Sequence, residues 1–285
     1  MATAFPPVTR YELKLAAPLA GFYLVFFVGP LVLLTIVSFY TDTKMTAFGL
    51  TQYARFLLDP FSLAVLASTL WLGLKVTLLC LLLGYPLAFV ITRSPNWLQG
   101  LLIIVVILPL LTSVVVRTFA WIVILGRQGI VNSTLMALGL ADTPLRLLYT
   151  ESGVVVALAQ VQMPLMVLPL ITAISRIDPN LQDASSALGA GAWRTFFRVT
   201  LPLGLPGIVA GSLLTFAAAI TAFITQSLVG GGQMLFMPMY LYQQASTLNN
   251  WPFAAAIAII FLIAVLGCVT IFNQLGRLSR GYAQV

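Results

Sequence analysis

From Leu15 to Phe39 the chain runs for 25 residues without a charged side chain. As a helix rising ~1.5 Å per residue, this run exceeds the ~20 residues that cross ~30 Å of hydrocarbon. The apolar core of a secretory signal is shorter, ~7–15 residues, and ends in a small-residue cleavage site, so the run reads as a retained span. Five more candidates follow: Leu63–Ile91, Leu98–Leu125, Val154–Ile174, Ile208–Val229 and Phe253–Phe272. Lipid admits only helices and closed barrels, because each backbone polar group must find a partner inside the protein. A barrel strand alternates apolar and polar residues; these runs are continuous. The expected fold class is an all-α membrane protein with six transmembrane helices.

Charge supports that reading. Only 7% of residues are charged, against ~25% in soluble domains. The net charge of +7 comes mostly from bases between the apolar runs, where topology explains them and nucleic acid does not. With the N-terminus inside, the cytoplasmic segments hold Arg10, Lys14, Arg93, Arg176, Arg194, Arg198, Arg277 and Arg280, and the outer ones hold Lys44, Arg55, Arg127 and Arg146. Basic residues concentrate inside, so both termini are expected in the cytoplasm. Lys75 and Arg117 fall within spans: Arg117 ~29 Å up its helix from the cytoplasmic end, near the outer interface, and Lys75 in the outer part of the neighbouring span. Two readings stand for them: snorkelling toward outer headgroups, or lining a vestibule. Pro30, Pro86, Pro109, Pro164, Pro169 and Gly211 interrupt spans as kinks or hinges.

Histidine is absent, which removes imidazole acid–base catalysis and most zinc sites; no catalytic or metal-binding residue is nominated. Cys80 and Cys268 lie inside apolar runs and read as small hydrophobes. No Gly-x-x-x-x-Gly-Lys-Ser/Thr phosphate loop occurs. Gly230-Gly231-Gly232 lacks the lysine and falls on the outer side, so this chain is not expected to bind ATP.

The most informative segment is the cytoplasmic stretch 175–207. Asp178-Pro179 is a helix start, an N-cap acceptor followed by proline at the first helical position. Leu181, Ser185 and Leu188 then share a face, and Gly189 supplies a stop or corner. A second short piece, Trp193–Val199, sets Trp193, Phe196 and Phe197 beside Arg194 and Arg198, with Leu201-Pro202 as its expected end. Such a pair of short helices also suits an amphipathic element lying on anionic lipid.

The run DASSALGAGAWRTFFRVTLP resembles the signature of permease subunits of bacterial ATP-binding-cassette (ABC) importers: Glu-Ala-Ala, three residues, Gly, nine residues, Ile, one residue, Leu-Pro. Here Asp183, Ala184 and Ser185 precede Gly189, Val199 and Leu201-Pro202 at that spacing, with Asp for Glu, Ser for Ala and Val for Ile. Leu83–Phe89 (LGYPLAF), Val116–Trp121 (VRTFAW) and Asn250–Ala256 (NWPFAAA) are similar to permeases of the spermidine/putrescine branch. The resemblance implies a type I importer permease fold with a cytoplasmic coupling helix. Residues 1–14 would be a cytoplasmic segment, 15–62 a first helix and external loop, 63–275 the permease core and 276–285 a cytoplasmic tail. Asp183, Ala184, Ser185, Gly189, Trp193, Phe196, Leu201 and Pro202 would couple it to an ATPase. Implied partners are a second homologous permease, two ABC ATPase subunits holding ATP and Mg, an extracytoplasmic solute-binding protein and membrane lipid, in a bacterial inner membrane.

A polyamine is the solute that branch implies. Candidate pathway residues are Lys75, Arg117, Gln160, Gln162, Thr221, Thr225 and Gln226, each equally suited to bonding between helices. No assigned span contains Asp or Glu, which is unfavourable for a cation in this subunit and leaves a neutral or anionic solute open. A secondary transporter would need coupling-ion ligands near the midplane, and an intramembrane enzyme would need catalytic groups; both are weaker readings.

Overall fold

The computed structural model describes the backbone of residues 10–280 and the side chains of residues 17–274 other than Pro179. The expected cytoplasmic ends, 1–14 and 276–285, lie partly outside the described residues, as do the side chains of Arg10, Lys14, Arg277 and Arg280. Among the described residues the regular structure is helical, apart from one isolated bridge between Tyr40 and Phe48. Six helical stretches are long and apolar enough to cross a membrane: Ala17–Ser38, Pro60–Arg93, Val114–Ala137, Glu151–Ile174, Ala192–Ile220 and Trp251–Gln274. The elements used below are α1 (Ala17–Ser38), α2 (Pro60–Arg93), α3 (Asn96–Leu111), α4 (Val114–Leu125), α5 (Glu151–Ile174), α6 (Pro179–Ala187), α7 (Ala192–Ile220), α8 (Phe223–Gly230) and α9 (Trp251–Arg280).

The chain divides into two compact units. The first comprises residues up to Asp59 together with Leu241–Ile260. Its α1 exposes Leu24, Val25, Phe26 and Leu33, a surface suited to acyl chains rather than water. After α1, Ser38 Oγ and Tyr53 OH lie 2.6 Å apart, and Gln52 Nε2 donates to the Thr41 carbonyl at 2.8 Å. The Asp42 carboxylate accepts from the Thr46 N–H and hydroxyl, both at 2.9 Å. Arg55 stacks over Phe253 at 4.3 Å.

The second unit, Pro60–Tyr240 with Phe261 onward, has its core where α2, α5 and α7 meet. Leu72, Val76, Cys80 and Ala88 of α2, Ala157, Leu158, Met166 and Leu170 of α5, and Ala219 of α7 are buried there. Small residues let these helices approach, as membrane packing demands. A Cβ on Gly207 would stand 2.5 Å from the Ala173 Cβ and 2.8 Å from the Pro169 carbonyl, so glycine sets the α5–α7 separation. Cys80 donates to the Ala159 carbonyl, and both cysteines are free thiols.

Three departures from the expected spans bear on the site. The run Leu98–Leu125 is not one helix: Thr112 (ψ 148°) and Ser113 (ψ 130°) are extended and separate α3 from α4. Pro109 cannot donate to the preceding turn, which weakens the ladder just before the break. Arg117 therefore sits in the first turn of α4, not near the far end of one long helix. The fifth span begins at Ala192, well before Ile208, and ends at Ile220, with Thr221-Ala222 breaking it from α8. Leu201-Pro202 sits inside this helix rather than ending it. The turn Phe196–Thr200 is π-helical, the Leu201 N–H reaching back to the Phe196 carbonyl. The helix then restarts with Pro202 in its first turn, where a missing N–H costs little. Finally, α5 begins at Glu151, three residues ahead of the assigned span, so this helix does carry a carboxylate.

Candidate coupling face and translocation cavity

Contacts sort the loops of the second unit between two ends. At one, Arg93 at the close of α2 donates to Gln182 Oε1 of α6. Phe196 meets Tyr85 and Phe89 edge-on, with centroids 5.6 and 6.3 Å away. At the other, Arg146 donates to Gln233 Oε1 at 2.6 Å, the Tyr149 N–H to the Val229 carbonyl at 3.2 Å, and the Met237 N–H to Thr69 Oγ1 at 2.9 Å.

The segment from Asp178 to Val199 is built from short-range rules. Asp178 Oδ1 accepts from the Asn180 N–H at 2.9 Å and starts α6. The helix ends with the Leu188 N–H on the Ala184 carbonyl, and Gly189 turns the chain at φ +79°, a left-handed conformation that glycine adopts without a Cβ clash. Ser185 and Thr195 hydroxyls, 3.0 Å apart, tie α6 to the first turn of α7. Ser185 is therefore half-buried and fixes the corner, whereas Asp183, Ala184 and Gly189 face outward. Leu188 and Trp193 are 88% and 77% exposed. Both lie close in sequence to Arg194 and Arg198. Phe196 packs inward on α2, and Trp193 stacks with Phe197 at 6.2 Å. Leu201 and Pro202 lie half-buried within α7. A groove of about 570 Å³ runs between α2 and this corner, lined by Tyr85, Phe89, Arg93, Gln182, Asp183 and Trp193 among others. Sequence reasoning missed Arg93 and Gln182, because nothing local links residues so distant in the chain.

Four of the seven pathway candidates gather at one place. Arg117, Gln162, Thr221 and Thr225 line a cavity of about 470 Å³ between the two helix breaks. Broken helices leave carbonyls unpaired, and each break is repaired by a side chain. Arg117 donates to the Pro109 carbonyl near the C-terminus of α3, where the helix dipole favours a cation. Gln226, fully buried, donates to the Ala219 and Ile220 carbonyls at 2.8 and 3.3 Å. Thr118 and Thr225 hydroxyls are 3.2 Å apart. Gln162, 8% exposed, lines the same cavity. The remaining candidates are elsewhere: Gln160 Oε1 accepts from Trp121 Nε1 at 3.2 Å, and Lys75 forms an ion pair with Glu151 at 2.7 Å. Glu151 lay just outside the assigned span, so its partnership with Lys75 was invisible to hydropathy.

Residues 9–277 match the family described as binding-protein-dependent transport system inner membrane component. The chain is similar to the spermidine/putrescine transport system permease protein PotB of Salmonella typhimurium, at 33% identity covering 95% of each chain. It is similar to PotB of Escherichia coli at 36%, covering 81% of this chain and 84% of that one. The molybdenum transport system permease protein ModB of Escherichia coli is 33% identical over 79% of this chain and 97% of its own. Among solved structures, a bacterial ABC transporter importing the acidic polysaccharide alginate superposes with a TM-score of 0.74 at 19% identity, covering 94% of this chain and 95% of that one. A bacterial alginate transporter in complex with its alginate pentasaccharide-bound periplasmic protein gives 0.73 at 18%, covering 94% of both.

Proposed function

The chain belongs to the family of binding-protein-dependent transport system inner membrane components, and we propose that it forms half of the pathway by which an ABC importer moves a polyamine such as spermidine or putrescine. A second, homologous permease supplies the other half. An extracytoplasmic binding protein delivers the solute, and two ATP-binding-cassette subunits hold ATP and Mg and do the hydrolysis. The chain itself binds no nucleotide. The end bearing Arg93, Arg176, Arg194 and Arg198 faces the cytoplasm, as do both termini.

The observation that carries this reading is the exposed corner at Gly189, with Leu188 and Trp193 presented to whatever docks there. Closure of the ATPases on nucleotide moves α6. Through Ser185–Thr195 the motion passes to α7, and through Arg93–Gln182 to α2. Both helices belong to the core, and α7 ends at the cavity. The result is alternation between two global states, biased by nucleotide below and loaded binding protein above. Arg117, Gln162, Thr221 and Thr225 contact the solute in passing, whereas Gln160 and Gln226 hold the helices. The solute assignment rests on the relatives' names, and the binding protein on the alginate complex.

One observation favours a second reading, an anionic solute. Arg117 lines a cavity whose lining holds no carboxylate, and a molybdenum permease is among the relatives. Uptake of labelled spermidine, putrescine and molybdate by the assembled complex in proteoliposomes separates the two. ATP-dependent polyamine uptake supports the first; oxyanion uptake without it replaces it.

A further inference from the structure

Lys75 and Glu151 form the ion pair that the sequence could not foresee, and its surroundings are not those of a simple strut. Lys75 Nζ lies 2.7 Å from Glu151 Oε1 and 5.4 Å from the centre of the Trp71 ring. Glu151 opens into a pocket of about 360 Å³ lined by Ser68, Trp71, Met234, Leu235 and Phe236. The Ser68 hydroxyl is spent on the Val65 carbonyl at 3.0 Å. The pocket thus offers one carboxylate, one indole face and an apolar wall. A primary alkylammonium needs this set: an anion for its charge, an aromatic face for its cation–π attraction and apolar contacts for its methylenes.

Lys75 is not part of the pocket lining, but its ammonium is such a group, held on the same carboxylate and beside the same indole. Lys75 and Glu151 side chains remain 35% and 42% exposed, so both are reachable from outside the unit, and where water reaches such a pair it is screened and weak. Glu151 is also the first residue of α5, where the positive end of the helix dipole favours a carboxylate by itself. The pocket lies at the end of the unit opposite the Gly189 corner, where Met237 bonds Thr69, the end from which an imported solute arrives.

The geometry points to a weak alkylammonium site at Glu151 and Trp71 that Lys75 occupies as an internal surrogate until an ammonium of the incoming polyamine displaces it. This rests on the polyamine reading above. The exchange is cation for cation at one carboxylate, with no bond made or broken. Such a site suits a transporter, since solute captured tightly by a binding protein must be released into something that does not retain it.

The test is polyamine uptake at limiting solute by the complete complex, reconstituted with binding protein and ATPase, alongside membrane level and subunit assembly. Lys75→Gln removes the competitor and is expected to raise uptake about two- to fivefold, the factor for losing a weakly held exposed pair. Glu151→Gln is expected to lower uptake by a similar factor or more, and Trp71→Leu to lower it less. The exchanged pair, Lys75→Glu with Glu151→Lys, rebuilds the ion pair but not the site, and should stay as low as Glu151→Gln. If both single variants fall and the exchanged pair recovers, the pair is a strut and the site proposal is overturned; unchanged uptake in all variants overturns it too. Absence of polyamine uptake by the unsubstituted complex removes the polyamine reading and this site with it, a result distinguishable because no variant is needed to see it.

Discussion

Replacing Gly189 tests whether the corner transmits force or merely rests on lipid. The residue sits at φ +79°, and a Cβ built there meets nothing within 4 Å. The cost of a side chain is therefore conformational, not steric crowding. An L-residue held in the left-handed region loses about 1–2 kcal/mol, more if β-branched and less for asparagine, which tolerates it. That conformation also aligns the Gly189 N–H on the Ser186 carbonyl at 2.9 Å and the Ala190 N–H on the Ser185 carbonyl at 3.1 Å. Relaxing φ breaks those bonds and swings α6 away from its Ser185–Thr195 tie. The core helices do not depend on this corner, so the spans should insert normally. A penalty of about 1–2 kcal/mol is a factor of roughly 5–30 in an equilibrium. ATPase copurification and uptake should accordingly fall in the order Gly189→Asn, Gly189→Ala, Gly189→Val, with membrane levels and second-permease binding unchanged. Normal uptake with Gly189→Val would mean that the corner transmits nothing and that the segment is only an interfacial helix.

Three further outcomes follow from separate features. Asp183→Ala should weaken ATPase binding by about 1–3 kcal/mol if the carboxylate meets a basic group on that partner, read as a rightward shift in an ATPase titration. Gly207→Val should cost about 1–3 kcal/mol or more by overpacking against Ala173 and the Pro169 carbonyl, seen as a lower melting temperature in detergent; a neutral result would mean that α5 and α7 are not held this close. The Asp42 carboxyl is held below its ordinary value first by the Thr46 N–H and then by the Thr46 hydroxyl. Its contribution to the order of the 39–49 loop should be complete above about pH 4 and vanish as pH falls through the lowered folded value, with hydrogen exchange at Thr46 and Ala47 rising there and Asp42→Asn abolishing the transition.

The six spans were legible because membrane insertion is decided by summed hydropathy, which a linear reading captures. The Asp178 start and Gly189 corner were legible for a different reason: both are local, set by side chains within a few residues of the backbone groups they serve. What escaped was non-local or one residue deep. The break at Thr112–Ser113 lies within an apolar run that hydropathy reads as continuous, and Arg117 compensates for it from the far side. The π-turn at Phe196–Thr200 lets a Leu-Pro pair pass through a helix that proline rules say it should end. Glu151 was excluded by an uncertainty of three residues in a helix start, which concealed the pairing of Lys75. Sequence does not distinguish Gln160 and Gln226 from the other pathway candidates; their bonds to Trp121 and to the Ala219 and Ile220 carbonyls depend on how the helices meet.

If ATP hydrolysis reaches this subunit at the exposed corner between α6 and α7, that corner must touch the ATPase. Single cysteines at Leu188 and Trp193, in a chain whose Cys80 and Cys268 are replaced by serine, can be cross-linked within the assembled complex, with Gly232 at the opposite end as control. Positions 188 and 193 are expected to cross-link to the ATPase subunit with a yield that nucleotide alters, and position 232 is expected not to react with it. Cross-linking to the ATPase from position 232, or to lipid alone from 188 and 193, would contradict that contact.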